Sequence, residues 1–276
     1  MVTLSFRRTS AVASGCMVCL GLLLTTGFAA LAQAQGFGAF ITPPRFELVL
    51  NAGQTSRQVM EIQHVGAQSG RFRIYSNDWR FNDDESIHFQ DELAADSCRP
   101  WVALERRELS IAPGERFRFR FEITVPPGTP ARECRFALMV EGMEPVQVQG
   151  AISFPVGGRI AVIVYAAIGG AEPKLSLSAS RVQLVNGQPG AVLEVHNSGN
   201  AHGRLAGFVN GTDASGARFE LAPADAPILP GQTRHIALLP LTQEGQPTAE
   251  IRFPLTVKGH LEWGRQRLPL DLTFTP

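Results

Sequence analysis

Between positions 45 and 142 the chain alternates apolar and polar side chains over short runs. In RFRFRFEITV (116–125), Phe117, Phe119 and Phe121 fall on one face and Arg116, Arg118 and Arg120 on the other. A period of two with this contrast predicts a strand in a sheet that is buried on one side and wet on the other. RFELVL (45–50), RQVMEIQHV (57–65), RFRIYSNDW (71–79) and CRFALMVEG (134–142) are further short runs rich in aromatic and β-branched residues. Pro-Gly, Asn-Gly or glycine-rich turn signals separate them, as expected of consecutive strands. VGGRIAVIVYAAIGG (156–170) differs, because from Ile160 to Ile168 both faces are uncharged and mostly apolar. That run is far short of the roughly 20 residues a membrane helix needs, so it predicts a closing core strand. No stretch of 12 or more residues after Gln35 carries helical periodicity.

The order of these elements occurs twice. EIQHVGAQSGRF (61–72) aligns without gaps against EVHNSGNAHGRL (194–205), ITPPRFEL (41–48) resembles LSASRVQL (177–184), and APGERFRFRF (112–121) resembles LPGQTRHIAL (229–238). Repetition on this scale predicts an all-β protein of two immunoglobulin-like β-sandwich domains in tandem. The first covers 35–168 and the second 174–276, with a linker at GGAEP (169–173), where two glycines and a proline interrupt the pattern.

The first 34 residues read as a cleaved secretory signal peptide. Arg7 and Arg8 precede an apolar run, and Ala32-Gln33-Ala34 is a small-x-small cleavage site. Cleavage removes two of the 25 basic residues and none of the 25 acidic ones, leaving a net charge of about −2. A balanced charge gives no nucleic-acid footprint, and the mature chain has no membrane span. Export also decides the cysteines. Cys16 and Cys19 leave with the leader, and Cys98 with Cys134 form an even pair in an oxidising compartment, which favours a disulfide. Closing a loop of roughly 37 residues would contribute on the order of 3–4 kcal/mol in the entropic model.

Chemistry for catalysis is sparse. The six histidines are scattered; His196 and His202 flank the turn NSGNA and could meet across a hairpin, but no third ligand lies nearby. NDDES (82–86) lacks the spacing of a calcium loop, and no nucleophile motif or phosphate loop occurs. The chain therefore reads as a non-enzyme with no metal and no cofactor. Binding is better served. Arg45 opens the first strand of the mature chain after two prolines, which favour an edge, and Arg159 opens the apolar run. An arginine matches a carboxylate with two hydrogen bonds, so two of them where the first and last strands of a sandwich meet would receive a chain terminus. Arg181 holds the place of Arg45 in the second repeat, which leaves a purely structural role for Arg45 open.

PPRFELVL (43–50), DW (78–79), WVALERRELSIAPGERFRFRFEITVP (101–126), RFALMVEGMEP (135–145) and the apolar strand after Arg159 together resemble the periplasmic chaperones of chaperone–usher pilus assembly. The resemblance covers the whole first half, with a weaker second sandwich behind it. It implies a protein of the periplasm that caps pilus or surface-fibre subunits by lending them the last strand of its first domain, and that delivers them to an outer-membrane usher. It implies that Arg45 and a basic residue on the last strand, here Arg159, hold the subunit's C-terminal carboxylate. The donated side chains are either Ile152, Phe154 and Val156 or Ile160, Val162 and Val164, since Pro155 and the pair Gly157 and Gly158 interrupt the run. An exposed apolar edge also invites a self-capping homodimer. The competing expectation is an exported structural or protein-binding module of the cell envelope without a chaperone cycle.

Overall fold

The computed structural model describes residues 38–82, 86–143, 146–148, 154–241 and 250–276. The expected leader (1–34) lies outside the described residues, and so do Ile152 and the acidic residues at 83–85. Residues Ala34–Pro276 form one compact unit, and among the described residues its regular structure is β apart from a single 3-10 turn.

The first half contains β1 (Ala39–Thr42), β2 (Arg45–Leu50), β3 (Thr55–His64), β4 (Gly70–Phe81), β5 (Ile87–Gln90), the 3-10 turn (Arg99–Trp101), β6 (Val102–Leu104), β7 (Glu108–Ile111), β8 (Arg116–Thr124), β9 (Arg132–Gly142), β10 (Val146–Val148), β11 (Phe154–Val156) and β12 (Arg159–Ile168). Two sheets face each other, one in the order β1-β3-β8-β6 and the other β2-β12-β9-β4-β5, with β7 also on β4. The alternation predicted for β8 is present. Phe119, Phe121 and Ile123 are buried in the core beside Met60, Phe136 and Val164. Arg116 and Arg120 on the other face reach Glu61 and Glu105 at 3.1 and 3.5 Å.

The chain changes sheets early. β1 pairs with β3, whereas β2 runs parallel to β12 in the opposite sheet. Pro43 and Pro44 lie between them; neither has an N–H, so neither ladder can continue through them.

β9 and β12 are apolar on both faces because both faces are covered. Phe136, Leu138, Val140, Val162, Val164, Ala166 and Ile168 enter the sandwich core. Ala137, Met139 and Tyr165 face outward, where they pack with Trp79 and with Leu229 from the second half.

Cys98, just before the 3-10 turn, is bonded to Cys134 near the start of β9, with Cα atoms 5.9 Å apart. The loop that delivers Cys98 is held by Asp78, of the DW pair, whose buried carboxylate accepts from Ser97 Oγ at 2.8 Å and Ala94 N at 3.0 Å.

After β12 the chain turns through Gly169 and Gly170 at φ of 62° and 79°, a left-handed conformation open to glycine at little cost. It then builds β13 (Leu175–Val185), β14 (Gln188–Asn197), β15 (Val209–Thr212), β16 (Arg218–Pro223), β17 (Thr233–Pro240), β18 (Leu255–Trp263) and β19 (Gln266–Phe274). These form one ladder in the order β13-β14-β17-β16-β15-β18-β19, which encloses a second core of Leu193, Val195, Leu221, Val257 and Phe274. Two sandwiches of this kind are the architecture expected from the repeat.

Candidate functional site

The last strand of the first sandwich has two neighbours over only part of its length. β9 pairs with all of it, from Arg159 opposite Glu141 to Ile168 opposite Arg132. β2 pairs with Ile163 to Ile168 alone, starting with Arg45 opposite Ile163. Residues 159–162 therefore present an edge with no strand beside it among the described residues, spanning about 13 Å at roughly 3.3 Å per residue. Beyond that edge, β10 and β11 form a separate two-stranded arm, with Val146 opposite Val156 and Val148 opposite Phe154. Gly157 and Gly158 lie between arm and edge, and Gly158 still accepts a bond from Gly142 N at 3.0 Å. Phe154 and Val156 of one expected donor stretch thus precede the other along the chain, divided from it by the glycines.

Their positions are not equivalent. Val162 and Val164 are buried in the chain's own core, with 1% and 0% exposure, and are already occupied. Ile160 is half-buried at the open end. Phe154 and Val156 lie on the arm, outside both sandwich sheets. Sequence periodicity could not separate these residues, because both faces of the run are apolar.

Where the open edge meets β2, charged side chains from both halves converge. Arg45 donates from Nε to Glu47 Oε1 at 2.8 Å and from Nη1 to Asp225 Oδ2 at 2.9 Å. Arg204 donates from Nη1 to the other Asp225 oxygen at 2.8 Å and lies over the Tyr165 ring at 5.8 Å. One carboxylate therefore bridges two arginines, one from each sandwich. These contacts hold Arg45 above its ordinary value, the hydrogen bond to Asp225 foremost. Burial works to raise the Asp225 carboxyl, but the Arg45 hydrogen bond and the nearby charge of Arg204 outweigh it and bring it below its ordinary value. Burial pushes the Tyr165 hydroxyl up to about 12.

Two loops of the second sandwich place Arg204 and Asp225. Asn197 is fully buried and donates to the carbonyls of Ala201 and Ile228, both at 2.8 Å. Gly203 and Ile228 exchange backbone bonds of 3.1 and 2.8 Å, so the two loops lie side by side. Glu133 on β9 fixes them to the first sandwich. Its carboxylate accepts from His202 N at 2.8 Å and meets His202 Nδ1 at 2.5 Å, while the imidazole stacks on Tyr165 at 3.8 Å.

The two arginines singled out from sequence are not brought together. Arg159 is four residues up the strand from Ile163, the partner of Arg45, and its guanidinium lies over Phe89 at 5.9 Å. Arg204 stands beside Arg45 instead. Its only sequence signal was its place in the repeat, at the Gly-Arg shared with Arg71. Arg181, the repeat counterpart of Arg45, has other surroundings. It sits on β13, antiparallel to β14, and binds Glu194 at 2.8 Å and His235. The environment of Arg45 is therefore not a feature both halves share. His196 bonds to Thr233 Oγ1 at 2.9 Å, whereas His202 belongs to the junction. Among the described residues no three His, Cys, Asp or Glu side chains gather as metal ligands, and no helix is long and apolar enough to cross a membrane.

No protein-family model matches the sequence, and no curated protein matches it. Solved structures are similar to it. The YadV chaperone is 12% identical over 84% of this chain and 100% of its own, at a TM-score of 0.44. A complex of the CsuC chaperone with the CsuE tip subunit, from the archaic chaperone–usher Csu pili of Acinetobacter baumannii, is 16% identical over 86% and 98%, at 0.43. The Salmonella enterica SafA pilin with its SafB chaperone is 10% identical over 86% and 98%, at 0.44. The chain thus resembles pilus chaperones, at TM-scores that transfer no residue role from them.

Proposed function

We propose that the chain is an exported, non-enzymatic assembly chaperone of the bacterial periplasm. It caps pilus or surface-fibre subunits by strand addition and passes them to an outer-membrane usher. The observation that carries the reading is the open edge of β12 at 159–162, which ends at Arg45. An added strand would gain main-chain hydrogen bonds there, the interaction on which strand-addition complexes rest. β2 occupies the continuation of that edge and runs parallel to β12. A strand entering in the same direction as β2 would point its C-terminus at Arg45, whose guanidinium suits a carboxylate. Alternating apolar contacts would come from Phe154 and Val156 on the arm and from Ile160. Val162 and Val164 stay with the chaperone's own core, and Arg159 would flank the added strand rather than hold its end. In this reading the boundary between the two domains is the turn at 169–173.

Co-expression with a fibre subunit whose sandwich lacks one strand tests this. The subunit is expected to co-purify with the mature chain, and Arg45→Ala is expected to weaken retention about tenfold or more, the worth of a charge-assisted hydrogen bond. Equal retention by the variant would refute the anchor. If no such subunit is retained by either protein, the chain is an envelope-binding module without a chaperone cycle.

A further inference from the structure

We infer that the carboxylate site is a fork made by Arg45 and Arg204, one arginine from each sandwich, and that Asp225 is a resident carboxylate that keeps it filled until a partner's chain end displaces it. The inference rests on the proposed strand addition for the identity of the partner, and on the chain's own contacts for everything else.

The occupant defines the ligand. Asp225 gives Oδ2 to Arg45 at 2.9 Å and Oδ1 to Arg204 at 2.8 Å, so the two guanidiniums are spaced for the two oxygens of a single carboxylate. A spare donor remains as well. Arg204 Nε is buried without a hydrogen-bond acceptor, its nearest carboxylate oxygen being Glu47 Oε1 at 3.6 Å. An arriving carboxylate could take Nε and Nη2 together, the side-on two-point geometry that arginine favours, in exchange for the 3.5 Å contact of Nη2 with the Tyr165 hydroxyl. The other acid is less free to leave. Glu47 sits on β2, where backbone pairing with Tyr165 fixes it, and its side chain is 46% exposed. Asp225 is in the loop after β16, and its side chain is 62% exposed. Exchange of Asp225 for another carboxylate leaves the charge of the fork unchanged, so no arginine is stripped of its counter-charge at any stage.

A chain end and an acidic side chain share this chemistry. The direction of β2 favours the chain end, because a strand parallel to β12 along 159–162 arrives at Arg45 with its terminus.

The test uses the mature chain and an N-terminally fluorescein-labelled octapeptide of alternating valine and threonine, followed by anisotropy at low salt. Three forms are compared: free acid, C-terminal amide, and an amide whose last residue is glutamate. The free acid is expected to bind about tenfold more tightly than either amide. Asp225→Asn should raise the affinity of the free acid several-fold and leave both amides unchanged. Arg204→Gln should abolish the preference, with circular dichroism confirming that each variant is folded. Asp225→Asn that binds the free acid no better than the parent, or no binding of the free acid to that variant, overturns the resident-carboxylate assignment. Equal binding of the glutamate-ended amide overturns the assignment to a chain end. Acid-over-amide preference in a protein that retains no fibre subunit would remove the chaperone reading and leave the fork standing. The reverse result would remove the fork and leave strand addition.

Discussion

Replacing Glu133 by alanine should loosen the junction on which the two-arginine site depends. The Glu133 side chain is 1% exposed, and its Oε2 receives the backbone N–H of His202 at 2.8 Å and lies 2.5 Å from the ring Nδ1. A carboxylate only accepts, so that nitrogen carries the proton. Arg135 Nη1 reaches the other oxygen at 3.3 Å. Removing one member of a buried pair of this kind costs about 3–5 kcal/mol, mostly as the penalty on the groups left behind. Here the His202 side chain is 10% exposed and that of Arg135 28%. Water can therefore relieve the arginine more than the histidine, and the expected loss is about 3 kcal/mol. Urea denaturation of the parent, Glu133→Ala, His202→Ala and the double variant closes a cycle. The coupling between the two residues should be about 1.5–3 kcal/mol, the range for hydrogen bonds to charged groups. The single variant should also lose acid-over-amide discrimination, because His202 and Arg204 ride on the same loop. A loss below about 1 kcal/mol together with coupling below about 0.5 kcal/mol would refute the view that this contact holds the sandwiches in register.

Two other outcomes follow from contacts already described. Replacing Cys98 and Cys134 together by serine should lower stability by about 2–5 kcal/mol; the urea midpoint should fall, and a reductant should produce the same fall in the parent. Asp225 lies below its ordinary value of 3.8, so its contribution is complete above that value and is lost as pH drops through the lower folded-state value. At 62% exposure its worth is about 1 kcal/mol at most. The difference in urea midpoint between the parent and Asp225→Asn should thus be present at pH 7 and shrink as pH falls below 3.8 and through the lower folded-state value; a difference that grows on acidification would contradict the sign.

What could be read from the sequence was local or repetitive. Phe117 to Phe121 announced β8 because one face is aromatic and the other basic. The internal repeat announced the second sandwich, and the even pair Cys98 and Cys134 announced the disulfide. The charged site was mostly hidden because it is assembled over long separations. Arg45 and Asp225 are 180 positions apart, and nothing near Asp225 in sequence marks it as a counter-charge. Glu133 and His202 are 69 apart; the histidine reads as a turn residue, and nothing near Glu133 in sequence marks it as its partner. In the apolar run after Arg159, periodicity failed for a different reason. Leu229 and Trp79 cover the outer face of β12, so inward and outward residues have the same chemistry and only the fold assigns them.

The early change of sheet at Pro43 and Pro44 has a consequence for how a partner would be read. Because β2 begins at Arg45 and fills the rest of the edge, the stretch of β12 with no strand beside it among the described residues is four residues long and closed at one end. In the proposed complex a guest strand is therefore counted from its last residue inward, like a rod pushed against a stop. The stop sets the phase, deciding which of its side chains face the arm and which face away. Adding or deleting one residue at the guest's terminus would invert that pattern along its whole length. Selectivity could then reside in where a partner's chain ends, as much as in what its sequence contains.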